Sequence, residues 1–552
     1  MLLSLYVLLR AAPQACLAAL AVFAAAPVAA QSAVPAAAQG VAAADVLLDV
    51  KRFEIVGSNP LSDAETTEVL APHLGVHHSL GTLEAAATAL ETRLRERGFS
   101  FDRVIVPAQK PAAGVVKLEI LQFPLAAVAV VGNKYFSAEN IRRSLPGLVS
   151  GTTPDVLEMS SELGLAGEHP SKHVAVVLKE STTDDALDAD IRVRDADPQQ
   201  FFTSFTANTR DTYNTTNKST GYTRLTAGYQ NANLFDRDHV LTASYTTSPE
   251  HPERVSQYGA FYWIPFYGYA TSLQLYYTHS DVRTGSVGLG ASSFDVTGTG
   301  DFTGARLTRS LPKFGAVTQN VALAFDDRYF KNDIGVADIS LPPTPVRSRP
   351  LSLRYTARLE QDWGGVGAYA EPVTNLSGGN ANTDSDYEIA RPGATRSWNA
   401  FRYGIDANYS LGSWALSGHL RGQETNSELI PGEQFGLGGI GSVRGLRDRE
   451  FAGDRGYTVN LEALGPQLAD GVRPLVFFDC GSAQLLGNRT QSDATSRDFA
   501  SSIGVGMRGN WERRLDVSAD LAYVLNGIAS TDSVPGTKPG HVKLIFAAFY
   551  RF

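Results

Sequence analysis

The chain has 552 residues and a mild acidic excess, 57 Asp and Glu against 48 Lys and Arg for a net charge of −9, which disfavours a nucleic-acid partner. Gly (51), Phe (26) and Tyr (21) are plentiful while Met (3) and Cys (2) are scarce, a balance that suits a large antiparallel β structure of the cell envelope. Beyond the first thirty residues no run approaches the ~18 uninterrupted apolar residues of a membrane helix, so helical spans are excluded.

Residues 1–30 read as a secretory signal peptide. Apolar residues dominate Leu2 to Leu9 and fill Cys16 to Ala26, Arg10 is the only positive charge, and Val28-Ala29-Ala30 supplies the small residues of a cleavage site. Residues 31–46 form a short Ala-rich spacer. Two α/β modules are expected next, at 47–123 and 124–197. In the first, Arg52–Gly57 reads as a strand, and Ser62 with Glu65 is a capping box that opens a helix to about Leu70. Thr82 is expected to cap a longer helix through Arg97, with Leu83, Ala86, Ala87, Leu90 and Leu94 on one face. Strands at 103–106 and 115–121 complete a β-α-α-β-β order. The second module repeats it with a strand at 128–132, helices at 138–144 and 154–164, and strands at 173–179 and 187–194, a period of about 75 residues.

From Phe201 onward the hydrophobic period changes to two. Strands are expected at 201–210, 220–230, 238–247, 256–265, 269–281, 298–309, 316–329, 349–361, 366–374, 397–411, 413–424, 456–464, 473–485, 498–511, 514–526 and 540–552. Short turns alternate with longer polar loops, and the strand number is even. These features predict a sixteen-stranded antiparallel transmembrane β-barrel over 198–552. In the last strand Val542, Leu544, Phe546, Ala548, Tyr550 and Phe552 share one apolar face, opposite His541, Lys543, Ile545, Ala547, Phe549 and Arg551. Leu515 to Leu525 and Tyr457 to Ala463 repeat the pattern, with Asp516, Ser518 and Asp520, and Thr458, Asn460 and Glu462, on the water-facing side.

The loop 425–456 contains Gly432, Gly436, Gly438, Gly439, Gly441 and Gly445 and carries Val443-Arg444-Gly445-Leu446; Phe477, Asp479 and Gly481 follow on a later strand. With two α/β modules and sixteen strands, these motifs resemble the TpsB-type transporters of two-partner secretion, the haemolysin secretion/activation proteins, in the superfamily that includes the BamA and TamA assembly proteins. The resemblance runs from about residue 47 to Phe552. Leu446 departs from the aromatic usual at the fourth place of the loop motif. The resemblance implies that the modules are POTRA modules and that the loop folds back into the barrel, where Arg444 reaches Asp479. A guanidinium can pair a carboxylate bidentately, and an unpaired carboxylate on an apolar wall is costly. It also implies that the terminal stripe Phe546, Ala548, Tyr550 and Phe552 is the signal read by the barrel assembly machinery during biogenesis. Family members commonly carry an N-terminal plug helix; here residues 31–44 are too short and too broken by Pro35 to supply one.

The residues present no catalytic constellation, metal site or cofactor motif. His77-His78 is expected to be a solvated pair, Asp184-Asp185 and Asp326-Asp327 solvated carboxylates, and Tyr262-Trp263 and Tyr276-Tyr277 parts of interfacial aromatic girdles. Gly436 to Gly441 imitates a phosphate loop but has no βαβ context. The resemblance implies an outer-membrane pore that takes an unfolded secretory partner from the periplasm through its POTRA modules and exports it, with outer-membrane lipid around the barrel. The alternative is a BamA/TamA-type factor that inserts barrels.

Overall fold

The computed structural model describes residues 48–552 apart from 78, 111–112, 184, 209–220, 282–283, 290–291, 298, 333–334, 337–338, 341–343, 488–496, 513 and 530–535. The leader and the spacer at 31–46 lie outside the described residues, as do Asp184 and His78. The chain divides into two compact units. The first ends at Val131 and adds Pro146–Ser160 and Ala175–Arg192; the second comprises Gly132–Leu145, Ser161–Val174 and Val193–Phe552.

The first α/β segment holds β1 (Leu48–Val50), β2 (Arg52–Val56), α1 (Asp63–Leu70), β3 (Gly75–His77), α2 (Leu80–Glu96), β4 (Asp102–Ile105) and β5 (Val115–Gln122). The capping box at Ser62 forms: its hydroxyl accepts the Glu65 N–H at 3.3 Å, and the Glu65 carboxylate accepts the Ser62 N–H at 3.4 Å. Helix α2 starts earlier than expected, with Ser79 at its N-cap. Thr82 instead turns its hydroxyl to the Ser79 carbonyl at 2.7 Å and to Nδ1 of His77 at 2.8 Å. His77 is therefore not solvated but buried, its other ring nitrogen on the His73 carbonyl at 2.6 Å. Leu83, Ala86, Ala87, Leu90 and Leu94 are the buried face of α2; the last four pack over the sheet β2-β5-β4 through Val104, Leu118 and Ile120, and Leu83 packs with Val50 and Val116.

The second α/β segment holds β6 (Leu125–Val131), α3 (Ala138–Arg143), α4 (Val156–Gly167), β7 (Lys172–Glu180) and β8 (Leu187–Asp195). Helix α4 begins after Pro154 because Asp155 caps it, accepting the N–H groups of Leu157 at 2.8 Å and Glu158 at 3.1 Å. The sheet order β6-β8-β7 repeats that of the first segment, with a parallel first pair in each. The bend after the first strand repeats too. Gly57 and Gly132 have φ of +94° and +93°, and a Cβ there would lie 2.7 Å and 2.6 Å from the carbonyl oxygens of Ile120 and Val193.

The barrel is closed and antiparallel. Its strands are β9 (Gln199–Asn208), β10 (Thr223–Leu234), β11 (His239–Thr247), β12 (Ser256–Phe266), β13 (Thr271–Ser280), β16 (Gly300–Phe314), β17 (Val317–Asn332), β20 (Thr344–Ser348) running into β21 (Pro350–Gln361), β22 (Gly364–Asn375), β23 (Asn399–Leu411), β24 (Trp414–Glu424), β27 (Arg455–Leu464), β28 (Val472–Gln484), β29 (Arg497–Trp511), β30 (Leu515–Asn526) and β31 (Val542–Arg551). β20 and β21 are halves of one strand, since both pair with β17, which gives the sixteen. This strand begins earlier than expected because Pro345 and Pro350 mask its strand character. Loop hairpins β14 (Thr284–Leu289) with β15 (Ser292–Thr297), β18 (Gly335–Val336) with β19 (Ile339–Ser340), and β25 (Phe435–Leu437) with β26 (Phe451–Gly453) lie between barrel strands, and α5 (Asp384–Ala390) sits between β22 and β23.

The period-two stripes divide as expected in β30 and β31: Leu521, Tyr523, Leu525, Val542 and Leu544 are exposed outward, while Asp520 and Lys543 are buried. Two pairs differ. Trp263 is buried with Leu165, Ala166, Val240 and Tyr267, and the Tyr276 hydroxyl donates to Asp326. Neither serves a girdle, because adjacent strand residues face opposite ways. Asp326 and Asp327 are both ion-paired rather than simply solvated: Asp326 accepts from Arg328 at 2.6 Å, and the partly exposed Asp327 from Arg347 at 3.0 Å.

Candidate functional site: the lumen loop and its seat

Arg444 is 3 % exposed and Asp479 is fully buried. The guanidinium grips the carboxylate with two prongs, Nε donating to Oδ2 at 2.7 Å and Nη2 to Oδ1 at 2.8 Å, and the Arg444 backbone N–H adds a third bond at 3.1 Å. Strand parity puts Asp479 on the same face as Phe477, and the Arg444 guanidinium carbon lies 3.5 Å from that ring's centroid. The sequence pattern does not link two further carboxylates to this arginine: Nη1 donates to Glu462 at 2.7 Å and to Asp520 at 3.3 Å. Both lie on the water-facing stripes of β27 and β30, the signal that could have found them. Arg508 from β29 bonds Asp520 at 2.5 and 3.0 Å, and Asn460 bridges Asp479 at 2.8 Å to the Ser442 carbonyl at 2.5 Å.

The motif's neighbours pack the tip. Val443 and Leu446 are fully buried with Leu437, Ala483, Ala500, Val524 and Ile528, a contribution of about 1.5–3 kcal/mol each. Gly445 has φ of +99°, and a Cβ there would come within 2.8 Å of Val524 Cγ2. Gly481 leaves room for Leu437, whose Cδ1 would be 2.6 Å from an added Cβ. Lys543 donates to the Leu446 carbonyl at 2.9 Å. Nearer the loop's start, buried Glu433 accepts from Arg328 at 3.0 Å and Arg402 at 3.2 Å. Charges of opposite sign thus hold the loop at two levels, a guanidinium of the loop at the tip and a carboxylate of the loop at Glu433.

Phe546, Ala548, Tyr550 and Phe552 lie elsewhere, along β31 and the chain's last residue. β31 closes the barrel on β9 from Ile545 opposite Asn208 to Arg551 opposite Phe202, and the Phe552 N–H continues the ladder to the Phe201 carbonyl at 2.9 Å. Phe552 remains 67 % exposed. Among the described residues no group of His, Cys, Asp and Glu is arranged to hold a metal ion, and no helix is long and apolar enough to cross a membrane.

Residues 191–509 match the family described as haemolysin secretion/activation protein ShlB/FhaC/HecB, and residues 48–122 match the POTRA domain, ShlB-type. The outer membrane transporter CdiB of Dickeya dadantii is 23 % identical over 480 residues, spanning 84 % of this chain and 81 % of that protein. The structure of CdiB from Escherichia coli is similar with a TM-score of 0.72 at 16 % identity, covering 96 % of this chain and 94 % of that one. CdiB from Acinetobacter baumannii gives 0.66 at 16 % identity, with 93 % and 91 % covered.

Proposed function

The chain belongs to the ShlB/FhaC/HecB family of haemolysin secretion/activation proteins, and from that premise we propose that the loop 425–456 is the closure of its export pore, seated by Arg444 and released when a passenger passes. The protein is an outer-membrane transporter of two-partner secretion, not an enzyme, with its POTRA region on the periplasmic side, and it works with a secreted partner protein. The observation that carries the closure reading is the buried guanidinium of Arg444 among Asp479, Glu462 and Asp520. In this reading the partner is large and arrives unfolded in the periplasm. The segments 47–123 and 124–197 act as two POTRA modules that take it up by adding a strand at a sheet edge. Its folding outside the cell gives the movement direction. A role in inserting other barrels has less support, since the family matched is that of haemolysin secretion/activation proteins and the curated relative is a CdiB transporter.

Val443, Gly445, Leu446, Phe477 and Gly481 shape the seat for Arg444 and Asp479. Arg444→Ala and Asp479→Ala are each expected to cut secretion while the barrel stays inserted, and the double variant to do no worse than the stronger single. Removing one partner strands the other's buried charge, at about 3–5 kcal/mol. Strictly additive losses in secreted passenger would refute the pairing. We also assign Phe546, Ala548, Tyr550 and Phe552 to recognition by the barrel assembly machinery in a lipid-surrounded barrel. Deleting Phe552 is expected to lower the amount of barrel in the outer membrane, measured on isolated membranes, and an unchanged amount would remove that role.

A further inference from the structure

The loop that carries Arg444 leaves for β27 through Asp454, a carboxylate with no exposed surface. Asp454 accepts both terminal nitrogens of Arg391, Nη2 at 2.9 Å. It also accepts the backbone N–H groups of Leu429 at 2.9 Å and Leu486 at 2.6 Å. Arg391 returns bonds to the carbonyls of the same two residues, Leu429 at 2.6 Å and Leu486 at 3.0 Å. One ion pair therefore ties together the β22–β23 loop, both ends of the loop 425–456, and the start of the segment after β28.

Arg391 is itself firmly placed. It follows α5 directly, and its N–H donates to the Tyr387 carbonyl at 2.8 Å. Tyr387 is fully buried; its hydroxyl donates to the Arg347 carbonyl at 3.1 Å and accepts from Asn375 at 2.9 Å. Thr383 and Asp386 cap the helix's other end. Trp398, Phe330, Val346 and Val373 from the barrel and its loops pack with Tyr387 and with Leu429 and Ile430 of the loop 425–456. The helix, the ion pair and the loop's base thus share one apolar support. None of the hydrogen-bond partners named for Arg391 and Asp454 is a partner of Arg444.

We propose that Arg391 and Asp454 form a second clasp on the pore: they are positioning residues that hold the helix-bearing β22–β23 loop onto both ends of the loop 425–456, and export requires this clasp to open as well as the one at Arg444. The proposal rests on the reading of loop 425–456 as the closure. A bidentate pair with its remaining oxygen sites filled by backbone donors resists opening while intact and is costly to leave half-made. It is therefore a two-state element.

The test is ion conductance of the purified full-length protein in planar lipid bilayers, for Arg391→Ala, Asp454→Asn, their combination, Arg391→Lys and Arg444→Ala. Heat-modifiable gel migration establishes that each barrel is folded. Each of Arg391→Ala and Asp454→Asn is expected to raise conductance several-fold, and their combination to go no further than the larger single effect. Arg391→Lys keeps the charge but loses the fork, so it is expected to restore part of the closure. Wild-type conductance in Arg391→Ala and Asp454→Asn, with raised conductance in Arg444→Ala, would overturn the clasp and leave the closure reading standing. Additive effects of the two substitutions would overturn it as well. No rise in Arg444→Ala either would overturn both readings. If Arg391→Ala does not fold, Arg391→Lys and Asp454→Asn decide by the same criteria.

Discussion

Arg444 shows how many neighbours one buried side chain can engage at once. Its fork matches the Asp479 carboxylate, its face stacks on Phe477, and its outer nitrogen reaches Glu462 and Asp520. The next residue is as constrained by shape as Arg444 is by charge. Gly445 takes a φ of +99° against the Val524 side chain, so Gly445→Ala adds backbone strain and a clash worth about 1–3 kcal/mol without touching any ionisable group. It is expected to raise basal bilayer conductance with the ion pairs intact, and unchanged conductance would mean the tip tolerates a Cβ. Arg444 and Asp479 were legible in the sequence because each sits in a short motif, one in a Gly-rich loop and one on a strand of clean parity. Parity also put Glu462 and Asp520 on the water side, but not which acids would meet the arginine, because that depends on how strands β27 to β30 curve around the loop.

At the level of elements, the clearest chemistry outside the lumen lies in the second unit, where the turn from α4 into β7 meets β10 to β13. Lys172 is buried and bonds Asp238, the Ser144 hydroxyl at 2.7 Å and the Asn140 side chain at 3.0 Å, while Tyr267 donates to Asp238 at 2.8 Å. Beside it His169 has no exposed side-chain surface. Its Nε2–H donates to the Ala232 carbonyl at 2.7 Å, so Nδ1 is free of a proton and accepts the Ser171 N–H at 3.3 Å. Burial, chiefly, lowers the ring's pKa from 6.5 to about 4; Lys172 and His173 push the same way, and Asp238 and the Ala232 carbonyl oppose them. Between those values the unfolded ring binds a proton that the folded ring refuses. Its contribution to stability therefore falls as pH drops from about 6.5 toward 4, by about 3 kcal/mol in all. Glu168 acts in the opposite sense: burial pushes its carboxyl up to about 6, so acid favours its folded form. The comparison that isolates the ring is His169→Gln against the parent. In detergent, the parent's melting temperature is expected to drop more between pH 7 and 4.5 than the variant's; equal drops would exclude His169 as the cause. Sequence patterning predicted the helices and strands here but not this pocket, because neither His169 nor Lys172 belongs to a periodic stripe and their partners lie far along the chain.

For the whole molecule, the strand pattern carried the architecture because a lipid-facing barrel leaves its period-two signature in every strand, and the matched family accounts for the rest. What the pattern could not reach were contacts made between loops, such as Arg391 with Asp454, the burial of His77, and the pairing of Asp326 with Tyr276 of another strand. The two levels at which the loop is held have an electrical consequence once it leaves. At the Arg444 level three carboxylates, Asp479, Glu462 and Asp520, then face the lumen with Arg508 as their partner. Toward the long-loop ends of β17 and β23, the departure of Glu433 takes a carboxylate from Arg328, which keeps Asp326, and from Arg402. Acid at one depth and base at another make a vacated pore into a fixed-charge junction, and such a junction passes current more easily in one direction than the other. Pores opened by Arg444→Ala are expected to give asymmetric current–voltage curves at low salt that straighten at about 1 M, where screening shrinks to roughly 3 Å. Straight curves at low salt would mean that the two levels are never uncovered together.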